Sequence, residues 1–308
     1  MSPGSQRPFD PLRIAILVTF PILLEQAFNG LQLGMMLFLV AVGVTLVFGI
    51  MDTVNLSHGS LLMFGGFFIV TAVELTGSFG LGLLLALIAS ATLAVLVEVI
   101  VMRPLYRRGH LDQVLATFGL ILFFNELAVV IWGRAPLYLS IPKFLSGQID
   151  LLGVPYPAYR FTITAVAALL GLGLYFLISR TRTGMLIRAG ADKRIVISRV
   201  YTLIFALGGV LAGLAGMMIV PLVSVQTGMG DPILITTLVV VIIGGIGSIR
   251  GALVGALLVG VLDTFGRILF PIYFGTGTGN ALANMTIYVL MAGVLLWRPR
   301  GLFPATAS

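Results

Sequence analysis

Cysteine is absent from this 308-residue chain, so no disulfide, thiolate metal site or cysteine nucleophile can form on it. Histidine occurs only at positions 58 and 110, and no H-E-x-x-H pair is present, which removes that route to a zinc hydrolase. No G-x-x-x-x-G-K-[ST] loop occurs, so the chain cannot hydrolyse ATP by a P-loop. No G-x-S-x-G elbow occurs either. Ser57 and His58 are adjacent, where side chains rarely face each other, and no acid is fixed beside them. Charge is scarce too: Asp, Glu, Lys and Arg make up 9% of the residues, against about 25% in ordinary soluble domains. A water-soluble fold of this length needs more charge to cover its surface, so lipid must cover it.

What is abundant is apolar sequence, at 59% of the chain. A membrane span needs about 20 mainly apolar residues. Runs of that kind lie at Leu31–Ile50, Leu61–Leu75, Phe79–Met102, Gln113–Trp132, Phe161–Ile178, Val200–Val223, Ile233–Ile246, Ala252–Phe270 and Ala281–Trp297. A shorter one, Ile14–Leu24, holds Pro21 and is followed by Glu25 and Asn29. It reads as an uncleaved, tilted or partial span. The fold class is therefore all-α: a polytopic transmembrane helical bundle of about nine or ten spans, with residues 1–308 forming a single transmembrane domain.

The longest strongly polar stretch is 179–199, which carries Arg180, Arg182, Arg188, Lys193, Arg194 and Arg199 against one acid, Asp192. Basic loops stay cytoplasmic. Placing this loop inside, with Arg103–Arg108, Arg250 and the tail Arg298–Arg300, gives ten crossings with both ends inside. If the first apolar run does not cross, nine crossings remain and the N-terminus lies outside. Gly133–Arg160, with Pro136, Pro142, Pro155 and Pro157, reads as a structured outer loop. The net charge of +7 sits in short loops between spans and gives no footprint for nucleic acid.

Ionisable groups at membrane depth are expensive and default to functional candidates. They are Glu74, Glu98, Glu126, which follows Asn125, and Asp263. Glu98 can pair with Arg103, and Asp263 can meet Arg267 four residues on. The patch Asp52–Ser60 is either a capped hairpin, with Asn55 or Ser57 as the cap, or a gate or pathway element. Gly209/Gly213, Gly247/Gly251 and Gly251/Gly255 have small-xxx-small spacing for close helix packing. Gly244–Gly251 alternatively breaks a helix and lines a path.

Four stretches carry a resemblance. Gly43–Gly59, GVTLVFGIMDTVNLSHG, is similar to the signature of branched-chain amino acid permease subunits of bacterial ABC importers, the LivH type. Arg103-Pro-Leu105, Leu115-Ala-Thr-Phe-Gly119 and Gly244-Gly-Ile-Gly-Ser-Ile-Arg-Gly-Ala252 agree with it. The likeness runs over almost the whole chain and is shared by urea and short-amide permeases. It implies an ABC importer permease in the bacterial inner membrane for branched-chain or other apolar amino acids. Its implied partners are a second homologous permease, two cytoplasmic ATPase subunits and a periplasmic substrate-binding protein, within membrane lipid. No cofactor or metal is implied on this chain, and ATP belongs to the partner ATPases.

The resemblance also assigns 179–199 as the cytoplasmic coupling loop, with Thr181, Arg182, Gly184, Met185, Leu186, Arg188 and Ala189 as the docking element. Relative to the family pattern the loop is several residues short after Arg194. The expected pathway residues are Asn55, His58, Gly59, Thr117, Asn125, Glu126, Gly244, Gly245 and Gly247. A self-sufficient channel or secondary carrier is the alternative outside this class, and it would need neither ATPase nor binding protein.

Overall fold

Backbone amides have no water to bond in lipid, so long apolar runs close their hydrogen bonds internally as α-helices. The structure, a computed structural model that describes residues 20–53, 55–180 and 197–304, is built almost wholly that way. The helices are α1 (Phe20–Met51), α2 (His58–Thr76), α3 (Phe79–Val97), α4 (His110–Trp132), α5 (Ala158–Arg180), α6 (Ile197–Ile219), α7 (Gly230–Gly244), α8 (Ile249–Phe274) and α9 (Thr276–Trp297). A π-helical turn, Glu98–Met102, extends α3 into Arg103–Leu105. Among the described residues eight helices are long and apolar enough to cross a membrane, and α7 is a shorter apolar helix.

The sequence predicted a break near Pro21 and Glu25. Instead Phe20–Leu24 is continuous with the next run, and α1 is one helix of 32 residues. The polar residue Asn29 is tolerated on it because Arg160 and Tyr156 both donate to its Oδ1, at 2.6 and 3.2 Å. The Pro-rich segment after α4 is structured, as expected. It holds the antiparallel pair β1 (Gln148–Leu151) and β2 (Val154–Pro157), with Gln148 opposite Pro157 and Leu151 opposite Val154. Leu152 and Gly153 turn the hairpin at positive φ, and Asp150 Oδ1 accepts from the Gly153 amide at 2.7 Å. Burial raises the pKa of the Tyr156 phenol, and the nearby Arg160 charge opposes that rise.

Consecutive helices alternate in direction. Arg103–Arg108, the start of α6, Arg250 and the C-terminal residues share one end, which the positive-inside rule makes cytoplasmic. The tail is pinned there: the Leu302 and Phe303 amides donate to the Ile243 and Gly244 carbonyls, both at 2.9 Å. Of the nine helices among the described residues, eight are long enough to cross a membrane, and the first apolar run, Ile14–Leu24, lies partly outside the described residues. α1, α2 and α6 form the interior, while α4, α5 and α9 are mostly exposed along their length. Glycine permits this density where α2 meets α6: a Cβ on Gly65 would run into the Gly213 backbone.

Candidate functional site

α1 ends at Met51; Asp52, a non-glycine residue, follows at φ 49°, and the chain then doubles back into the bundle. His58 opens α2 beside Gly43, where a built Cβ would lie 2.6 Å from His58 Nε2. Gly43 lies eight residues before Met51 in the sequence, or roughly 12 Å along the helix axis. Non-helical backbone thus penetrates to membrane depth, where it survives only when enclosed by protein or water. Thr53, Asn55, Ser57, His58 and Ser60 are all buried there.

The hydrogen bonds show what holds this break. Asn55 Oδ1 accepts from the Ser57 amide at 3.0 Å and from Ser57 Oγ at 2.7 Å. The Leu56 amide donates to Thr117 Oγ1 at 3.2 Å, and that hydroxyl donates to the Gln113 carbonyl at 2.7 Å. Ser57 does occupy the N-cap of α2, but no side-chain cap bond forms, because its hydroxyl is turned toward Asn55. His58 bonds the backbone of Val40.

α7 completes the site. Its first residue, Gly230, packs on Gly59, and its first-turn Asp231 accepts from Asn125 Nδ2 at 3.2 Å. The structure therefore links Asn55, His58, Gly59, Thr117 and Asn125 through α2, α4 and α7. Glu126 points elsewhere: it is on the exposed face of α4 beside Leu122 and Phe123. Gly244, Gly245 and Gly247 form a separate group at the cytoplasmic end. Gly244 abuts Gly251, Gly245 (φ 105°) abuts the carbonyls of Phe303 and Arg300, and Gly247 (φ 81°) lies against Gly49. Sequence reasoning missed Gly230 and Asp231, although Gly-Asp-Pro opening a short apolar run is a helix-start signal.

A second polar group lies at the cytoplasmic end. Glu98 is fully buried and takes hydrogen bonds from Arg103 (2.9 Å), Tyr106 (3.1 Å) and Thr202 (2.8 Å). The predicted Glu98–Arg103 pair is thus joined by α6. Burial, followed by the Glu98 charge, pushes the Tyr106 phenol above its ordinary pKa. The other predicted pair, Asp263–Arg267, closes at 2.7 Å, and Arg267 also reaches Asn284 of α9 at 3.1 Å. The coupling-loop residues Thr181, Arg182, Gly184, Met185, Leu186, Arg188 and Ala189 lie outside the described residues. Among the described residues no group of three or more His, Cys, Asp and Glu is placed to hold a metal.

Comparison with known proteins adds the context. A family model described as the permease component of a branched-chain amino acid transport system matches residues 26–295. The chain is 29% identical over 305 residues to the high-affinity branched-chain amino acid transport permease BraD of Pseudomonas aeruginosa, covering 91% of this chain and 95% of the relative. It is 25% identical over 304 residues to the corresponding protein LivH of Escherichia coli K12, covering 90% and 96%. It is 27% identical over 259 residues to the ribose import permease RbsC of the same strain, covering 78% and 77%. No solved structure matches.

Proposed function

Since the chain belongs to the family of permease components of branched-chain amino acid transport systems, we propose that it forms the transmembrane path of an ATP-driven importer in a bacterial inner membrane. The cargo is a branched-chain or other apolar amino acid, delivered by a periplasmic binding protein. A second homologous permease completes the path. Two cytoplasmic ATPases supply the energy, and ATP is bound by them and not by this chain, which lacks the P-loop pattern. The basic loop 179–199 is their docking element.

The observation that carries this reading is the family match across residues 26–295. The buried polar break between α1 and α2 supports it. A bundle whose sole task was to fill lipid would gain nothing from placing Asn55, Ser57 and His58 at membrane depth. Ribose is the second cargo worth testing, because one relative is named for ribose import.

The test is uptake into proteoliposomes holding the full subunit set, with leucine, urea and ribose compared, with and without ATP. The expected result is ATP-dependent accumulation of leucine that vanishes without the ATPases. Accumulation driven by this chain alone, or uptake of urea or ribose in place of leucine, would overturn the proposal.

A further inference from the structure

Two helices begin at one depth inside the bundle and run apart from it. α2 leaves from His58 toward the outer face, and α7 leaves from Gly230 toward the cytoplasmic face. Their first turns touch: a Cβ on Gly59 would fall 2.5 Å from the Gly230 carbonyl oxygen. A helix N-terminus presents amide hydrogens without intrahelical acceptors and the positive end of the helix dipole. At a protein surface water answers both. Inside a bundle, where the dielectric is low, such an end attracts an anionic group strongly.

Unpaired side-chain atoms lie in and just before the first turn of α2. Asn55, His58 and Ser60 are only 7%, 1% and 1% exposed, yet Asn55 Nδ2, His58 Nε2 and Ser60 Oγ have no hydrogen-bond partner among the described residues. The Asn55 amide is pinned to the first turn of α2 by the two bonds from Ser57 to its Oδ1, and this leaves the Nδ2 donor unused. Buried polar groups are paired in the great majority of cases, so a cluster of unpaired ones asks for a ligand. Beyond Gly230 the chemistry reverses. Asn125 Oδ1 is a buried acceptor without a partner, and Asn125 Nδ2 is already committed to the half-buried Asp231 carboxylate.

We infer that this junction is a transit station for a zwitterion. Asn55 Nδ2, Ser60 Oγ and the N-terminus of α2 take the carboxylate of an α-amino acid. Asn125 Oδ1 and Asp231 take its ammonium group. Leu234, whose Cβ would meet one built on Gly59, supplies apolar wall for an aliphatic side chain. The two glycines let the starts of α2 and α7 touch, and the cargo would enter where they part. The inference rests on the proposed function and deepens it, by naming the groups that hold the cargo within the membrane.

Because the chain has no cysteine, one introduced thiol is the only thiol in this subunit. Ser60→Cys and Asn125→Cys would be made in the full importer in proteoliposomes, with the other subunits also cysteine-free. Each would be treated during ATP turnover with an anionic sulfonatoethyl and a cationic trimethylammonioethyl methanethiosulfonate. The expected result is opposite preference: the anionic reagent is faster at position 60 and the cationic reagent at position 125, and loaded binding protein with leucine slows both. The same preference at both positions, or no reaction at either in any state, overturns the station. Asn55→Asp is expected to lower leucine uptake about tenfold, the factor of one 1.4 kcal/mol interaction. Uptake within twofold of the unsubstituted importer, with assembly intact, counts against the inference. Should the unsubstituted importer carry no leucine, the proposed function fails, while the two labelling preferences still decide whether the charge pattern exists.

Discussion

Gly65 and Gly80 separate two meanings of glycine in this chain. A Cβ on Gly65 would collide with the Gly213 backbone, whereas one on Gly80 would meet nothing within 4 Å. Gly65→Ala is therefore expected to lower stability by about 1–3 kcal/mol, the usual cost of overpacking. Gly80→Ala is expected to be neutral or to stabilise by roughly 0.5–1 kcal/mol through helix propensity. Thermal unfolding of the two variants in detergent, read side by side, checks both. Tyr106→Phe removes one donor to the buried Glu98 carboxylate. We expect a loss of about 1–2 kcal/mol by the same measurement, because a hydrogen bond to a charged group is involved. The Glu98–Arg103 and Asp263–Arg267 pairs were legible in the sequence because their members lie five and four residues apart on one helix. Thr202 as a partner of Glu98 was not legible, since 104 residues separate them.

At the scale of elements, nearly every apolar run became a helix close to its expected bounds. The exception is instructive. Pro21, Glu25 and Asn29 were read as an interruption, but α1 passes through them. A helix satisfies its own backbone, so an isolated polar side chain does not end it when a partner such as Arg160 waits beside it. Ser57 shows the reverse case. Its place at the N-cap was legible, but its bond to Asn55 depended on how the returning chain folded. For the basic loop, the charge reversals Arg182→Glu and Arg188→Glu together are expected to abolish copurification of the ATPases while membrane insertion is kept. The motivation is the concentration of positive charge in 179–199. Unchanged copurification in the double variant would remove this assignment of the loop.

At the scale of the whole molecule, the outward faces of α4, α5 and α9 remain apolar and uncovered within this chain. Lipid suits Leu115, Phe118, Leu122 and Phe123 of α4, but it does not suit Glu126 among them. A carboxylate at membrane depth costs about 2.5–3.5 kcal/mol on insertion scales unless it faces water or a partner. Glu126→Leu is therefore expected to leave the isolated subunit as stable as before or more so, which thermal unfolding in detergent checks.

The sequence by itself determined the class and the approximate number of apolar helices. These depend on transferring local runs and local charges between water and lipid, and neighbours along the chain decide that. It also marked Asp52–Ser60 as unusual, because a polar patch between two apolar runs stands out without any contact map. Only the tertiary structure decided which groups meet there. Leu56 finds Thr117 across 61 residues, and Asn125 finds Asp231 across 106. Helices that are apolar on every side carry no stripe to announce which face turns inward. Their rotation was settled by the close approach of small residues such as Gly59 and Gly230, and no pattern within a single helix encodes that.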